Sequence, residues 1–291
     1  MTMPEERALS FACGDAWLYG IVSLPAPAST APARGVLVVV GGPQYRAGSH
    51  RQFTLLARDL AAAGVPAMRF DYRGMGDSEG DLRSFDDVGD DLRAAIDRFF
   101  LEVPGMREVV LWGLCDGASA AAMYAPGDAR VAGLVLLNPW VRTEEGAARA
   151  TIKHYYRARL FDARLWKKVT SGRFDVKASV RGLWQDLGKA LRPRQDTGKG
   201  SGVAAPAHAP LPERMQAALT RFGGRVLVVL SGADLTAQEF ADLSARPGAW
   251  QQLLGAPRFT RQKIDKADHT FSRRPWQDQV SSWTRDWLRS W

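Results

Sequence analysis

Short, almost wholly apolar β-branched runs alternate along this chain with amphipathic helical stretches, and that rhythm restricts it to an α/β fold with a mostly parallel sheet and helices on both faces. Residues 36–40 form the clearest run, Val-Leu-Val-Val-Val ending at Gly41-Gly42-Pro43, without the polar alternation of a half-exposed strand. The pattern predicts a helix over 53–63, a strand at 66–71, a loop to 81, a helix over 85–100, a strand at 108–112, a helix over 118–125 and a strand at 131–137. Ahead of these, 8–12 and 16–23 read as a hairpin around Cys13-Gly14-Asp15, and the Pro/Ala-rich 25–34 as a connection. After Asn138-Pro139-Trp140 the rhythm stops. Residues 141–220 read as a basic helical cap inserted into a core made of 1–140 and 221–291, with a disordered loop near 192–212 where Pro, Gly, Ala and Lys displace any apolar period. The core resumes with strands at 225–230 and 261–264, a loop carrying His269 and an amphipathic helix over 276–291.

A chain of 291 residues, 46% hydrophobic, can bury a core without covalent staples, so its two cysteines, Cys13 and Cys115, are not expected to form a disulfide. The formal charge is +8, and residues 142–199 alone carry 15 basic against 6 acidic side chains, or +9. The imbalance therefore belongs to the inserted segment. No zinc-finger or RNA-binding signature accompanies it, so nucleic acid is not the expected partner; an anionic substrate, peripheral contact with a membrane surface, or a plain solvated face all fit. The first ten residues lack a following apolar h-region, and no stretch reaches the roughly eighteen uninterrupted apolar residues of a membrane span, which predicts a cytoplasmic protein.

The chemistry concentrates at Gly113-Leu114-Cys115-Asp116-Gly117, between a buried strand and a helix. A glycine on each side of a central nucleophile marks a turn too sharp for bulky flanks, which lifts the nucleophile above the sheet edge. The centre is Cys115, and the start of a helix favours its thiolate. A small buried cysteine would not need two glycines in register, which argues against a packing role here, whereas Cys13 has no such context. Of the four histidines, His50, His154 and His208 fall in the first loop, the inserted segment and the low-complexity stretch. Only His269 follows the last strand, where the general base belongs. The orienting acid should follow the strand after the insertion, which selects Asp234 in Ser231-Gly232-Ala233-Asp234, with Glu239 as fallback and Asp265 and Asp268 as surface carboxylates. For the oxyanion hole, the N–H of Asp116 and that of Gly42 are the candidates, with Gln44 as the alternative to Gly42 because Pro43 has no N–H. Asp71-Tyr72-Arg73-Gly74-Met75-Gly76-Asp77-Ser78 lacks the glycine order and lysine of a phosphate loop; a turn stabilised by Arg73 and Asp77 is expected instead.

Together, residues 69–78, the cysteine elbow and Ala267-Asp268-His269-Thr270-Phe271 resemble the α/β-hydrolase superfamily over nearly the whole chain. Residues 41–53, the elbow and Leu235-Thr236-Ala237-Gln238-Glu239-Phe240 further resemble the exosortase A system-associated hydrolases, type-1 branch. That resemblance implies the α/β-hydrolase fold and a bacterial setting beside exopolysaccharide and protein-sorting genes, with no defined substrate. The expectation is a hydrolase that cleaves an ester or thioester through Cys115, His269 and Asp234, acting on a small-molecule acyl substrate and requiring no metal or organic cofactor. Trp166, Trp184, Tyr155 and Tyr156 of the cap would suit an apolar acyl part joined to an anionic head, or simply pack the cap. Transfer of the acyl group to a sugar hydroxyl is the second enzymatic reading, and a non-catalytic scaffold the third.

Overall fold

The computed structural model describes residues 4–26, 33–42, 44–141 and 209–291. One eight-stranded sheet organises them, in the order β1-β2-β4-β3-β5-β6-β7-β8. Strands β1 (Glu5–Cys13) and β2 (Ala16–Leu24) form the opening hairpin, and β2 runs antiparallel to β4 (Ala67–Phe70). From there β3 (Arg34–Val39), β5 (Glu108–Leu114), β6 (Val131–Leu137), β7 (Arg225–Ser231) and β8 (Phe259–Ile264) are all parallel. Val36, Leu37, Val38 and Val39 are wholly buried, as expected for a strand with a helix layer on each side.

Helices α1 (Gln52–Ala62) and α7 (Arg274–Arg289) cover one face. Phe53, Leu56 and Leu60 of α1 and Val280, Trp287 and Leu288 of α7 pack there against Val38, Trp112 and Val229. The opposite face takes α2 (Gly89–Glu102), α3 (Asp116–Tyr124), α4 (Leu211–Arg221), α5 (Leu235–Ala245) and α6 (Ala249–Leu254), through Ile96, Phe99, Ala121, Met215, Leu219, Phe240 and Trp250. No helix among the described residues is long and apolar enough to cross a membrane.

Several boundaries differ from those the sequence suggests, for local physical reasons. Helix α2 begins at Gly89 rather than near 85, since a turn at 85–86, closed by the Asp87 N–H donating to the Ser84 carbonyl at 2.8 Å, precedes it. Helix α4, counted with the cap in sequence, buries Met215, Ala218 and Leu219. The rest of the expected cap, its basic excess, its four aromatics and most of the 192–212 loop lie outside the described residues.

The chain leaves β3 in one direction to form β4 and, after α2, returns to the other side of β3 as β5. The carboxyl ends of β3 and β5 therefore diverge at a topological switch point, where open α/β sheets leave a crevice. The loop after β4 braces that crevice. Asp71, fully buried, accepts from the Arg46 N–H at 2.6 Å and pairs with the Arg46 guanidinium, which also reaches Asp77. The Ser78 hydroxyl donates to the Asp71 carbonyl at 2.8 Å and accepts from the Tyr19 N–H at 3.0 Å. The partners differ from the local Arg73–Asp77 pairing expected from sequence. Arg73 turns inward to the fully buried Asp91 of α2 at 2.8 Å, because a carboxylate without water needs a cation and Asp77 is exposed.

Arg73→Ala leaves the Asp91 carboxylate buried without its cation, and is expected to lower the unfolding free energy by about 3–5 kcal/mol. Urea denaturation of the variant against the parent measures this, and a loss below about 1 kcal/mol would refute the bracing role given to the pair.

Candidate active site

Strand β5 ends at Leu114 and α3 starts at Asp116, so Cys115 alone must turn the chain. It does so at φ 61° and ψ −125°, a conformation that costs an L-residue energy and persists only when its surroundings enforce it. A Cβ on Gly113 would lie 2.5 Å from the Gly117 carbonyl, and one on Gly117 would lie 2.5 Å from the Val39 carbonyl oxygen. A side chain at Gly113 would force β5 and the start of α3 apart, and one at Gly117 would force the elbow away from β3. The Cys115 N–H donates to the Leu137 carbonyl at 2.9 Å, and its own carbonyl accepts from Ala118 N–H at 3.1 Å, starting α3. The thiol is left partly exposed at the sheet edge, on the N-terminal end of a helix.

Two further loops bring acid and base beside it. Ala233 N–H donates to the Ala267 carbonyl at 3.0 Å and Gly232 N–H to Ile264 at 2.9 Å, which sews the loop after β7 to the loop after β8. Asp234 sits at the N-cap of α5, where its Oδ2 accepts from the Ala237 N–H at 2.9 Å. The same oxygen lies 2.9 Å from His269 Nδ1. A capped carboxylate cannot swing away, so the imidazole is fixed with Nδ1 toward Asp234 and Nε2 left for Cys115. The hydrogen bond to Asp234, and after it the one to Cys115, push the His269 pKa up to about 10 from its ordinary 6.5, against the opposing effect of burial. The ring is thus held as a cation at neutral pH.

Asn138 was not singled out in the sequence. Fully buried at φ 42°, it donates through Nδ2 to the His269 carbonyl at 2.9 Å and accepts at Oδ1 from the Ser231 N–H at 2.8 Å. One side chain therefore ties the histidine loop to the aspartate loop from beneath. The only sequence signal was a lone amide closing the apolar run of β6.

The oxyanion candidates are placed differently from expectation. Gly42 N–H donates to Asp116 Oδ2 at 2.9 Å, and Gly117 N–H to Asp116 Oδ1 at 3.0 Å. Of the two expected donors, that of Gly42 therefore faces a carboxylate of the protein itself. Burial raises the Asp116 pKa, while those N–H groups and His269 pull it back. The side chain of Gln44 accepts from the Ser49 N–H at 3.3 Å. Among the other acidic candidates, Asp265 pairs with exposed Lys263 at 2.8 Å and Asp268 accepts from the Ser272 N–H at 2.9 Å, while Glu239 stays on α5. His50 lies in the short 3-10 turn before α1, Cys13 is buried at the end of β1, and His154 and His208 lie outside the described residues.

A cysteine elbow at the switch point of a mostly parallel sheet, with an aspartate-held histidine on the following loops, defines the class of protein: this is an α/β-hydrolase. Residues 31–185 match the family model described as serine aminopeptidase, S33, and the chain belongs to that family. The matched span includes the elbow, whose centre is cysteine here, and ends before Asp234 and His269. A search of curated proteins found no match. Among solved structures, the esterase Pf2001 of Pyrococcus furiosus has a TM-score of 0.65 at 14% identity, over 99% of this chain and 93% of that one. Est1E of Butyrivibrio proteoclasticus, with ferulic acid bound, has a TM-score of 0.62 at 14% identity, over 97% and 98%. A dienelactone hydrolase of Anabaena variabilis has a TM-score of 0.59 at 16% identity, over 100% and 99%. At such identities the likeness is one of fold.

Two measurements check this geometry. Asn138→Ala strips partners from a buried N–H and a buried carbonyl, and is expected to cost about 2–4 kcal/mol in urea denaturation; a change below about 0.5 kcal/mol would remove Asn138 from the framework. His269 has a folded pKa above its unfolded value, so its pairing contributes stability in full below pH 6.5 and loses it as pH rises toward about 10. The stability difference between wild type and His269→Gln is therefore expected to shrink across that window; a difference independent of pH would contradict the raised pKa.

Proposed function

We propose that this α/β-hydrolase cleaves an ester or thioester through an acyl-cysteine intermediate, with Cys115 as nucleophile, His269 as acid and base, and Asp234 as the residue that orients and charges the imidazole. The observation that carries this reading is the meeting of a strained elbow thiol with an imidazole already held as a cation by Asp234. A thiolate beside an imidazolium is a ready nucleophile, and it differs from a serine centre, where the histidine must first take the hydroxyl proton.

In the reading, the Cys115 sulfur bonds to the carbonyl carbon and the carbonyl π pair moves onto oxygen. The tetrahedral intermediate collapses as the alkoxide or thiolate leaving group departs, taking the proton from His269. The neutral imidazole then removes a proton from water, whose hydroxide attacks the acyl-cysteine. Collapse of the second intermediate releases the carboxylic acid and restores the thiolate–imidazolium pair. In this reading the backbone N–H groups of Asp116 and Gly42 serve either oxyanion, that of Gly42 once the Asp116 carboxylate has released it.

The ester class is supported by the name of one fold neighbour, the esterase Pf2001. The likeness of residues 41–53, the elbow and 235–240 to the exosortase A system-associated hydrolases supports a place in exopolysaccharide-related metabolism. The basic composition of 142–199 supports an anionic group on the substrate, such as an acyl-CoA or a lipid-linked sugar.

The test is intact-protein mass spectrometry after brief exposure to a p-nitrophenyl acyl ester or an acyl-CoA. Wild type is expected to gain one acyl mass and lose it in water, Cys115→Ala to gain none, and His269→Ala to acylate at least about a hundredfold more slowly. An adduct that persists until a sugar hydroxyl is supplied would replace the hydrolase with an acyltransferase. Absence of any adduct on wild type, together with an inert Cys115, would favour a binding protein that has kept the fold.

A further inference from the structure

Two backbone N–H groups, from Gly42 and Gly117, meet at a position beside the Cys115 elbow. Clustered N–H groups at a helix N-terminus form a nest for an anion, and next to an acyl-transfer nucleophile the anion to be held is the tetrahedral oxyanion. In this chain the nest already holds a carboxylate, that of Asp116, with Oδ2 at 2.9 Å from the Gly42 N–H and Oδ1 at 3.0 Å from the Gly117 N–H.

The surrounding structure makes room for this arrangement. A Cβ on Gly41 would come within 2.3 Å of Asp116 Oδ1 and 2.5 Å of the Leu114 carbonyl oxygen, so only glycine there lets the β3 loop close over the carboxylate. No cationic side chain pairs with Asp116 in a salt bridge among the described residues; its charge rests on the backbone donors, with His269 as the neighbouring cation. A carbonyl oxygen turning into an oxyanion would find those donors engaged and a like charge in its place. The usual oxyanion hole is empty of protein side chains, and this one is filled.

Resting on the acyl-cysteine reading above, we propose that Asp116 controls acylation by occupying its own oxyanion hole, so that a substrate carbonyl must displace the carboxylate before the tetrahedral intermediate forms. In that step the sulfur–carbon bond forms, the carbonyl π pair moves to oxygen, and the Asp116 carboxylate rotates out toward solvent, with no change in its proton count. The device makes the reaction selective. A substrate with little binding energy beyond its carbonyl acylates slowly, while one anchored elsewhere can use that energy to expel the carboxylate.

The experiment compares two reactions of Cys115 in wild type, Asp116→Ala and Asp116→Asn. One is the acylation burst with p-nitrophenyl acetate, which develops an oxyanion; the other is alkylation by iodoacetamide, which displaces iodide at a saturated carbon and develops none. The ratio of acylation to alkylation rates cancels general effects on the thiolate. It is expected to rise by about tenfold or more in Asp116→Ala, whose nest is vacated, and by less in Asp116→Asn, which keeps the shape and loses the charge. Should the alanine variant not fold, the near-isosteric asparagine variant carries the test alone. A ratio that is unchanged or lower in the folded variants, with wild type acylating normally, would overturn the proposal. If none of the three proteins acylates at Cys115, the acyl-cysteine reading itself fails, an outcome distinct from the first.

Discussion

The close approach of two loops at the switch point of the sheet is the constraint on which the site depends. β3 and β5 lie side by side, and the segments leaving them run so near each other that Gly117 sits against the Val39 carbonyl and Gly41 against the Leu114 carbonyl. A side chain at either glycine would push them apart. The strain at Cys115 is tolerable because this contact, the hydrogen bond from its N–H to Leu137 and the first turn of α3 all hold the same residue. What results is a thiol presented at a fixed point on the edge of a rigid sheet.

The remaining groups are fixed by the same strategy of shared partners. Asp234 caps a helix and orients the histidine with one oxygen atom. Asn138 spans the loops that carry the two. Asp71 holds the loop after β3 through Arg46, and Asp91 holds the loop after β4 through Arg73. Asn138, Asp71 and Asp91 are buried polar groups whose partners lie on other elements, so the site and the fold stabilise each other.

His269, Asp234 and the Asp116 carboxylate in the anion nest place three ionisable groups beside Cys115 in one small crevice. Attraction between them is coherent: Asp234 and Cys115 both favour the His269 cation, and that cation in turn offsets the burial of Asp116. Such a site is stable when empty. It carries a cost at the moment of reaction, because a new negative charge must be accommodated where one already stands, which explains why a chain with this nucleophile would rely on binding energy from the rest of its substrate.

Much of this was legible in the sequence. The buried run from Val36 to Val40, the two glycines around Cys115 and the position of His269 after the last strand are local patterns, and local patterns are set by steric rules that act within a few residues. The choice of Asp234 followed from order along the chain, and the structure brings it to 2.9 Å from His269. By contrast, the Asn138 tie, the inward turn of Arg73 to Asp91 and the engagement of Gly42 by the Asp116 carboxylate join residues 131, 18 and 74 positions apart. The sequence by itself determined which elements form and which end of the sheet bears the chemistry, because periodicity and turn sterics are properties of neighbours. Only the tertiary structure decided which buried donor meets which acceptor, because that pairing depends on what the folded core brings together after water has been excluded.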